Sequence, residues 1–178
     1  MKPPRLLIVE DESIVVADLA NRLEHMDYEV VGSAASGEEA LVLAGQVVPD
    51  LVLMDIRLQG EMDGIETAQQ LRDGLGLPVV FLTALADGAT LLRAKCVQPF
   101  GYVLKPFEDR ELKIVVEIAL YKHQIENELK QKYAEIDRFN QLAIGRELRM
   151  IELKREINAL RHVAGQADSY RIVDELPR

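Results

Sequence analysis

Five short apolar runs recur along the first part of the chain, and polar residues follow each of them. The most apolar is Leu51–Met54, four aliphatic or thioether residues in a row. A run without polar interruption is typical of a parallel strand that helices cover on both faces. The five predicted strands are Arg5–Val9, Glu29–Ala34, Leu51–Met54, Val79–Leu82 and Gly101–Leu104.

The segments between these strands have apolar residues at helical spacing. Ser36 precedes one of them as an N-cap with Glu39 three residues later, a pattern that starts helices. The run Gly74-Leu75-Gly76-Leu77-Pro78 follows another and predicts its end. The predicted helices are Ile14–His25, Gly37–Ala44, Gly64–Arg72 and Asp87–Lys95. This alternation predicts an α/β fold with a doubly wound, five-stranded parallel sheet.

From Glu108 onward the chain becomes charge-dense and has no proline until Pro177. A heptad register places Leu129, Ile136, Ala143, Met150 and Ile157 at one seam position and Ile125, Phe139, Leu153 and Leu160 at the other. The register predicts a long C-terminal helix, either continuous or turned back as a hairpin near Gly145. We therefore expect a sheet domain over residues 1–122, a helical or coiled-coil extension over 123–164 and a flexible tail over 165–178.

Charge and composition narrow the classes of function. The net charge is −9, and residues 1–107 carry 8 Lys and Arg against 16 Asp and Glu. An acidic domain disfavours nucleic-acid binding and attracts cations. Neither a signal peptide nor an apolar run of membrane-spanning length is expected, and the single cysteine, Cys96, fits a reducing compartment. We expect a cytoplasmic protein without a membrane span.

Charged and hydroxyl side chains stand at the ends of four predicted strands: Glu10 and Asp11 after the first, Asp55 after the third, Thr83 after the fourth and Lys105 after the fifth. Parallel strands bring these ends to one edge of the sheet, where such folds bind ligands. Three carboxylates suit a hard dication such as Mg²⁺. Together with a hydroxyl and an ammonium, they predict a phosphoryl-transfer site.

Four motifs combine in an order and spacing typical of one family. They are Val9-Glu10-Asp11-Glu12, Leu53-Met54-Asp55-Ile56, Phe81-Leu82-Thr83-Ala84 and Tyr102-Val103-Leu104-Lys105-Pro106-Phe107. Together they resemble the receiver domain of two-component response regulators, and the resemblance covers about residues 3–122. It implies a flavodoxin-like sheet with strand order 2-1-3-4-5.

The resemblance also implies a phosphoryl acceptor and a metal pocket. Asp55 would accept the phosphoryl group from a histidine kinase or phosphotransfer protein. Glu10, Asp11, Asp55 and the backbone carbonyl of Arg57 would bind Mg²⁺ or Mn²⁺. The first acid in this family is most often Asp, so Glu10 departs from the usual pattern by one methylene group.

By the same resemblance, Thr83 would contact the phosphoryl group and Lys105 would pair with it. The bond from Lys105 to Pro106 would be cis. Tyr102 would turn inward as Thr83 moves, which changes the face formed by the fourth helix, the fifth strand and the fifth helix. The alternative for Tyr102 is a packed ring with its hydroxyl at the surface.

Several alternatives remain open for the whole chain. We expect a signalling phospho-acceptor rather than an enzyme, with no DNA-binding domain and a homodimer formed through the C-terminal helix. The alternative is an RNA-binding antitermination regulator that acts through its C-terminal helices, although basic and acidic residues alternate there and aromatic residues are few. A phosphatase of the haloacid dehalogenase type is disfavoured because Arg57 stands where its second aspartate would be.

Overall fold

The computed structural model describes residues 2–84 and 88–170. Ten elements follow one another in the described residues, and strands alternate with helices throughout. They are β1 (Arg5–Val9), α1 (Ser13–His25), β2 (Glu29–Ala34), α2 (Gly37–Val47), β3 (Leu51–Asp55), α3 (Gly64–Leu75), β4 (Val79–Thr83), α4 (Gly88–Cys96), β5 (Gly101–Leu104) and α5 (Asp109–Val163). The five strands pair in parallel in the order β2-β1-β3-β4-β5. The predicted fold class and strand order are confirmed.

The apolar strands separate two layers of core because alternate residues point to opposite faces of the sheet. One face packs against α2, α3 and α4 through a cluster that includes Met54, Phe81 and Leu71. The other packs against α1 and α5 through a cluster that includes Leu53, Leu19 and Leu112. Strand β3 is buried along its whole length. The central strand therefore holds its C-terminal residue in a rigid setting.

Side-chain caps fix the starts of α2 and α3. The Ser36 hydroxyl accepts a hydrogen bond from the Glu39 amide at 3.3 Å, as the sequence pattern predicts. Asp63 caps α3 more completely, because its carboxylate accepts from the amides of Ile65 and Glu66 while the Glu66 side chain accepts from the Asp63 amide. Both caps lie on the side of the sheet where the strands end.

The predicted end of α3 at Arg72 is wrong. The helix continues through Gly74 to Leu75, and Gly76 closes it with a left-handed φ of 67°. The Gly76 amide donates to the Arg72 carbonyl, so the terminating glycine is the second of the two and not the first. The prediction for α4 is close in the described residues, which begin again at Gly88. Asp87, its predicted first residue, lies outside them.

The chain divides into two compact units, Met1–Glu126 and Asn127–Arg178. Helix α5 extends to Val163 as a single helical element, and Gly145 lies inside it. The predicted long C-terminal helix is confirmed, without a hairpin. Most apolar residues of the predicted seam are exposed in this chain, among them Leu129, Ile136 and Phe139. Among the described residues, none of the helices combines the length and the apolar character that crossing a membrane requires.

The segment after α5 turns back on the end of the helix. Gly165 has a φ of 71°, and the Gln166 amide donates to the Arg161 carbonyl. The buried Asn158 amide then binds the backbone of the returning segment. Its Nδ2 donates to the Tyr170 carbonyl at 2.7 Å, and its Oδ1 accepts from the amides of Ser169 and Tyr170. Residues 171–178 of the predicted tail lie outside the described residues.

Candidate phospho-acceptor site

The site lies where four parallel strands end side by side. Val9 at the end of β1 is in register with Met54, and Asp55 is in register with Leu82 on β4. Thr83 is then in register with Leu104 on β5. Each strand is followed or completed by a polar residue, so the sheet brings together side chains far apart in sequence. This edge carries the predicted site residues Glu10, Asp11, Asp55, Thr83 and Lys105.

The three carboxylates of Glu10, Asp11 and Asp55 form one cluster. They can each offer an oxygen such that all three oxygens lie within 4.8 Å of one another. Glu10 is 2% exposed and Asp55 is 9% exposed. Burial raises the pKa of Glu10, and this effect together with the charge of Asp55 outweighs the hydrogen bond from Lys105, which lowers that pKa.

Lys105 provides the positive charge inside this cluster. Its Nζ lies 2.5 Å from Oδ2 of Asp55 and 2.5 Å from Oε2 of Glu10. Its backbone amide donates to the Thr83 carbonyl at 2.8 Å, which fixes the start of the side chain. Burial lowers the pKa of Lys105, but the hydrogen bonds to Asp55 and Glu10 outweigh it, so that the pKa is raised. The bond from Lys105 to Pro106 is cis, as the family resemblance implies.

An open cavity of about 330 Å³ gives access to Asp55. Its lining residues come from the loops after β1, β3, β4 and β5 and from α4. They are Asp11, Glu12, Asp55, Ile56, Arg57, Thr83, Ala84, Thr90 and Lys105. The Arg57 amide donates to Oδ1 of Asp55 at 2.9 Å, whereas the Arg57 side chain is exposed. Thr83 is buried, and its hydroxyl donates to the Ala84 carbonyl at 3.1 Å.

The donor set fits a hard divalent cation. Carboxylates from Glu10, Asp11 and Asp55 lie close enough to share one ion, and they are the oxygen ligands that Mg²⁺ and Mn²⁺ prefer. Arg57 lines the same cavity, and its backbone amide donates to Asp55. The residues at this edge of the sheet are therefore suited to the metal that the sequence predicts.

Tyr102 lies on β5 with its ring turned toward the core. The ring centroid is 5.9 Å from that of Phe81, and the hydroxyl is buried without a hydrogen-bond partner among the residues that the structure describes. Burial raises the pKa of this phenol. The Tyr102 ring therefore points inward, and the alternative with its hydroxyl at the surface is wrong.

Three further residues contact the backbone of Asp55 or the segment that follows β3, and the sequence did not predict these contacts. Gly64 packs directly against the backbone of Asp55. Glu38, at the start of α2, has its pKa lowered by hydrogen bonds to its own amide, to Ser36 and to backbone groups of the loop after β3. Arg93 on α4 pairs with Asp63 at 2.7 Å. The pattern Asp63-Gly64 before a helix was the available signal, but it indicates only a helix start.

Comparisons with known proteins agree on one family. The family model described as "Response regulator receiver domain" matches residues 6–117. The transcriptional regulatory protein PdtaR of Mycobacterium tuberculosis is 38% identical over 118 residues, which cover 66% of this chain and 57% of that protein. The regulatory protein AtoC of Escherichia coli is 37% identical over 127 residues, 71% of this chain and 27% of that protein.

Solved structures give the same result. The signal receiver domain of a modulated diguanylate cyclase from Desulfovibrio desulfuricans G20 is 43% identical, with a TM-score of 0.67, and the match covers 70% of this chain and 98% of that one. A putative response regulator from Chloroflexus aurantiacus is 36% identical, with a TM-score of 0.63 over 67% of this chain and 99% of that one.

This chain belongs to the response regulator receiver family, as its motifs predict. The match lies within the first compact unit, and the long C-terminal helix extends beyond it. The chain spans little more than half the length of PdtaR and about a quarter of that of AtoC. The predicted boundaries at residues 122 and 164 stay predictions, as do the individual roles of the site residues.

Proposed function

We propose that this protein is a cytoplasmic response regulator that accepts a phosphoryl group on Asp55 from a partner histidine kinase or phosphotransfer protein. The proposal depends above all on one observation: Lys105 contacts Asp55 at 2.5 Å inside a cluster of three carboxylates. An acceptor carboxylate needs a cation site beside it and a fixed positive charge for the incoming phosphoryl oxygens. The carboxylate cluster and the Lys105 ammonium lie together at the end of β3.

The transfer forms one bond and breaks one bond. An oxygen of Asp55 attacks phosphorus, and the phosphorus–nitrogen bond of the donor phosphohistidine breaks. The bonding electron pair goes to the imidazole nitrogen, and the product is an acyl phosphate on Asp55. Lys105 pairs with the phosphoryl oxygens, and the Thr83 hydroxyl, once rotated away from the Ala84 carbonyl, donates to one of them.

Glu10, Asp11, Asp55 and the carbonyl of Arg57 would hold Mg²⁺ or Mn²⁺. A bound dication offsets the repulsion between the acceptor carboxylate and the approaching phosphoryl group. The protein contributes the rest: strand β3 fixes Asp55, the Arg57 amide orients one of its oxygens, and the cavity admits the donor from one side. Apart from this transfer and the hydrolysis of its own acyl phosphate, we expect no enzymatic activity.

The phosphorylated state would be transmitted through Thr83 and Tyr102. Thr83 would move toward the acyl phosphate, and the inward ring of Tyr102 would be favoured in the space it leaves. Both residues border the face formed by α4, β5 and α5. That face carries exposed apolar side chains at Leu104 and Ile118, to which a partner or a second copy can bind.

A phosphorylation assay tests the assignment of Asp55. Incubation with acetyl phosphate and Mg²⁺ should label the wild-type protein, and the label should disappear in Asp55→Asn because an amide oxygen is a poor nucleophile. Asp73→Asn, which changes an exposed carboxylate on α3, is the matched control and should be labelled like the wild type. Labelling of Asp55→Asn to the wild-type extent would refute the assignment.

The RNA-binding alternative is a separate proposal for the C-terminal helix. It requires that the basic residues of this helix neutralise backbone phosphates, so that affinity falls steeply as salt increases. A gel-shift titration with structured RNA at two salt concentrations tests it. Salt-sensitive binding would favour this alternative, and no shift would leave protein contacts as the proposed output.

A further inference from the structure

Glu10 makes a contact that a shorter acidic side chain could not make from the same backbone position. Its side chain is fully buried, and Oε2 lies 2.5 Å from the Lys105 ammonium. An aspartate at this position is shorter by one C–C bond of about 1.5 Å, which would leave a gap of about 4 Å to the ammonium. Direct pairing with Lys105 therefore depends on the extra methylene group of Glu10.

Lys105 is shared between two carboxylates. The same Nζ lies 2.5 Å from Glu10 and 2.5 Å from Asp55, and the Lys105 side chain is 19% exposed. A charge-assisted contact of this length is strong where water is largely excluded. The ammonium thus neutralises part of the charge of the acidic cluster when no other cation is bound.

The same carboxylates are the ones that a divalent cation needs. Glu10 and Asp55 both belong to the cluster whose oxygens lie within 4.8 Å of one another. A cation bound there and the Lys105 ammonium would repel each other, and both would be held by the carboxylates of Glu10 and Asp55. The other oxygen of Glu10 accepts a hydrogen bond from the Glu12 amide, at 3.4 Å.

We propose that Glu10 is a positioning residue that holds Lys105 in a resting place between two carboxylates, and that a divalent cation releases Lys105 from Glu10. The inference rests on the proposed function and specifies its order of events. Cation binding comes first and takes over the carboxylate of Glu10. Lys105 is then free to follow the phosphoryl group on Asp55.

A double-mutant cycle on Mg²⁺ affinity tests this coupling. Calorimetry would give the Mg²⁺ dissociation constant of the wild type, Lys105→Gln, Glu10→Asp and the double variant. Removing the ammonium should tighten Mg²⁺ binding about tenfold in the wild-type background. With aspartate at position 10 the same change should tighten it by no more than about threefold, since only the contact between Lys105 and Asp55 remains to be broken.

The control is Lys113→Gln, which removes an exposed positive charge on α5. It should change the Mg²⁺ dissociation constant by less than about twofold. An equal effect of Lys105→Gln in both backgrounds, or no effect in either, overturns the inference. Asp55 would still be labelled by acetyl phosphate in that case, so the proposed function would stand. If the proposed function is wrong, the result is a different one: Asp55 of the wild type is not labelled by acetyl phosphate.

Discussion

Gly64 lies so close to the backbone of Asp55 that a Cβ atom at position 64 would stand 1.9 Å from the Asp55 carbonyl oxygen. The carbon of the same carbonyl would be 2.9 Å away. Backbone atoms at the end of a buried strand cannot move aside as a flexible side chain can. The first residue of α3 therefore has to be glycine for the acceptor strand to keep its place.

We predict that Gly64→Ala destabilises the protein by about 1–3 kcal/mol, because the methyl group overlaps the end of β3. Urea unfolding followed by circular dichroism gives the free energy of unfolding. The matched control is Gly74→Ala in the same helix, where a Cβ would meet nothing within 4 Å. That change should stabilise by about 0.5–1 kcal/mol. Equal effects of the two substitutions would contradict the close contact at Gly64.

Substitution of Tyr102, whose hydroxyl is buried, should have the opposite effect on the free energy of unfolding. Tyr102→Phe removes a buried polar atom that lacks a partner among the described residues, so we expect stabilisation of about 1 kcal/mol at neutral pH. The exposed Tyr121→Phe is the control and should stay within about 0.5 kcal/mol of the wild type. If Tyr102→Phe lowers the free energy of unfolding, the hydroxyl has a partner that stabilises the fold.

The same phenol predicts a pH dependence. Burial raises the pKa of Tyr102 above the ordinary 10.0, so the unfolded chain loses this proton at lower pH than the folded protein does. The folded state then binds more protons above pH 10, and the contribution to stability falls as pH rises from 10 toward the folded pKa. Tyr102→Phe should lose less stability than the wild type over this alkaline range. Parallel curves would show that the phenol is not shielded from water.

The sequence predicts the sheet well because buried parallel strands leave an unambiguous pattern. Leu51–Met54 could be placed without tertiary information, and the strand-end positions of Glu10, Asp55 and Lys105 follow from topology. The exact ends of helices are harder to predict from the sequence. Gly74 is tolerated inside α3, since a helical glycine costs only about 1 kcal/mol. The run from Gly74 to Pro78 therefore predicts an end to the helix but does not show which of its two glycines closes it.

Contacts between loops could not be predicted in this way. The sequence places Glu10 and Lys105 at one edge, but only coordinates show that the extra methylene of Glu10 brings the two into contact. The same holds for Glu38, whose bonds to the loop after β3 depend on how α2 is placed beside α3. Such contacts depend on distances of about an ångström, which residue patterns do not determine.

Asn158 gives a prediction for the end of the chain. Its side chain makes three hydrogen bonds to the backbone of residues 169 and 170. Replacement by Ala should release the returning segment and speed amide hydrogen exchange at Ser169 and Tyr170 by about tenfold. Asn140→Ala, at an exposed position of α5, should leave these rates unchanged. Unchanged exchange in Asn158→Ala would show that the segment is held by other contacts.

Self-association through α5 is a further prediction. Leu129 and Ile136 are exposed on the heptad seam, so a second copy can cover them. Sedimentation equilibrium should show a dimer for the wild type and a monomer for Leu129→Asn combined with Ile136→Asn. Ala134→Asn, on the opposite side of the helix, should remain dimeric. A dimer that survives the double change would place the interface elsewhere, for example on the receiver domain.

The most direct test of the phosphoryl acceptor is to trap it chemically. Treatment with acetyl phosphate and Mg²⁺ followed by borohydride reduces an aspartyl phosphate to homoserine, which peptide mass spectrometry locates in the chain. We predict homoserine at position 55, dependent on Mg²⁺. Homoserine at position 11 with Asp55 unchanged, or a stable label on a histidine alone, would contradict the proposal that Asp55 is the acceptor.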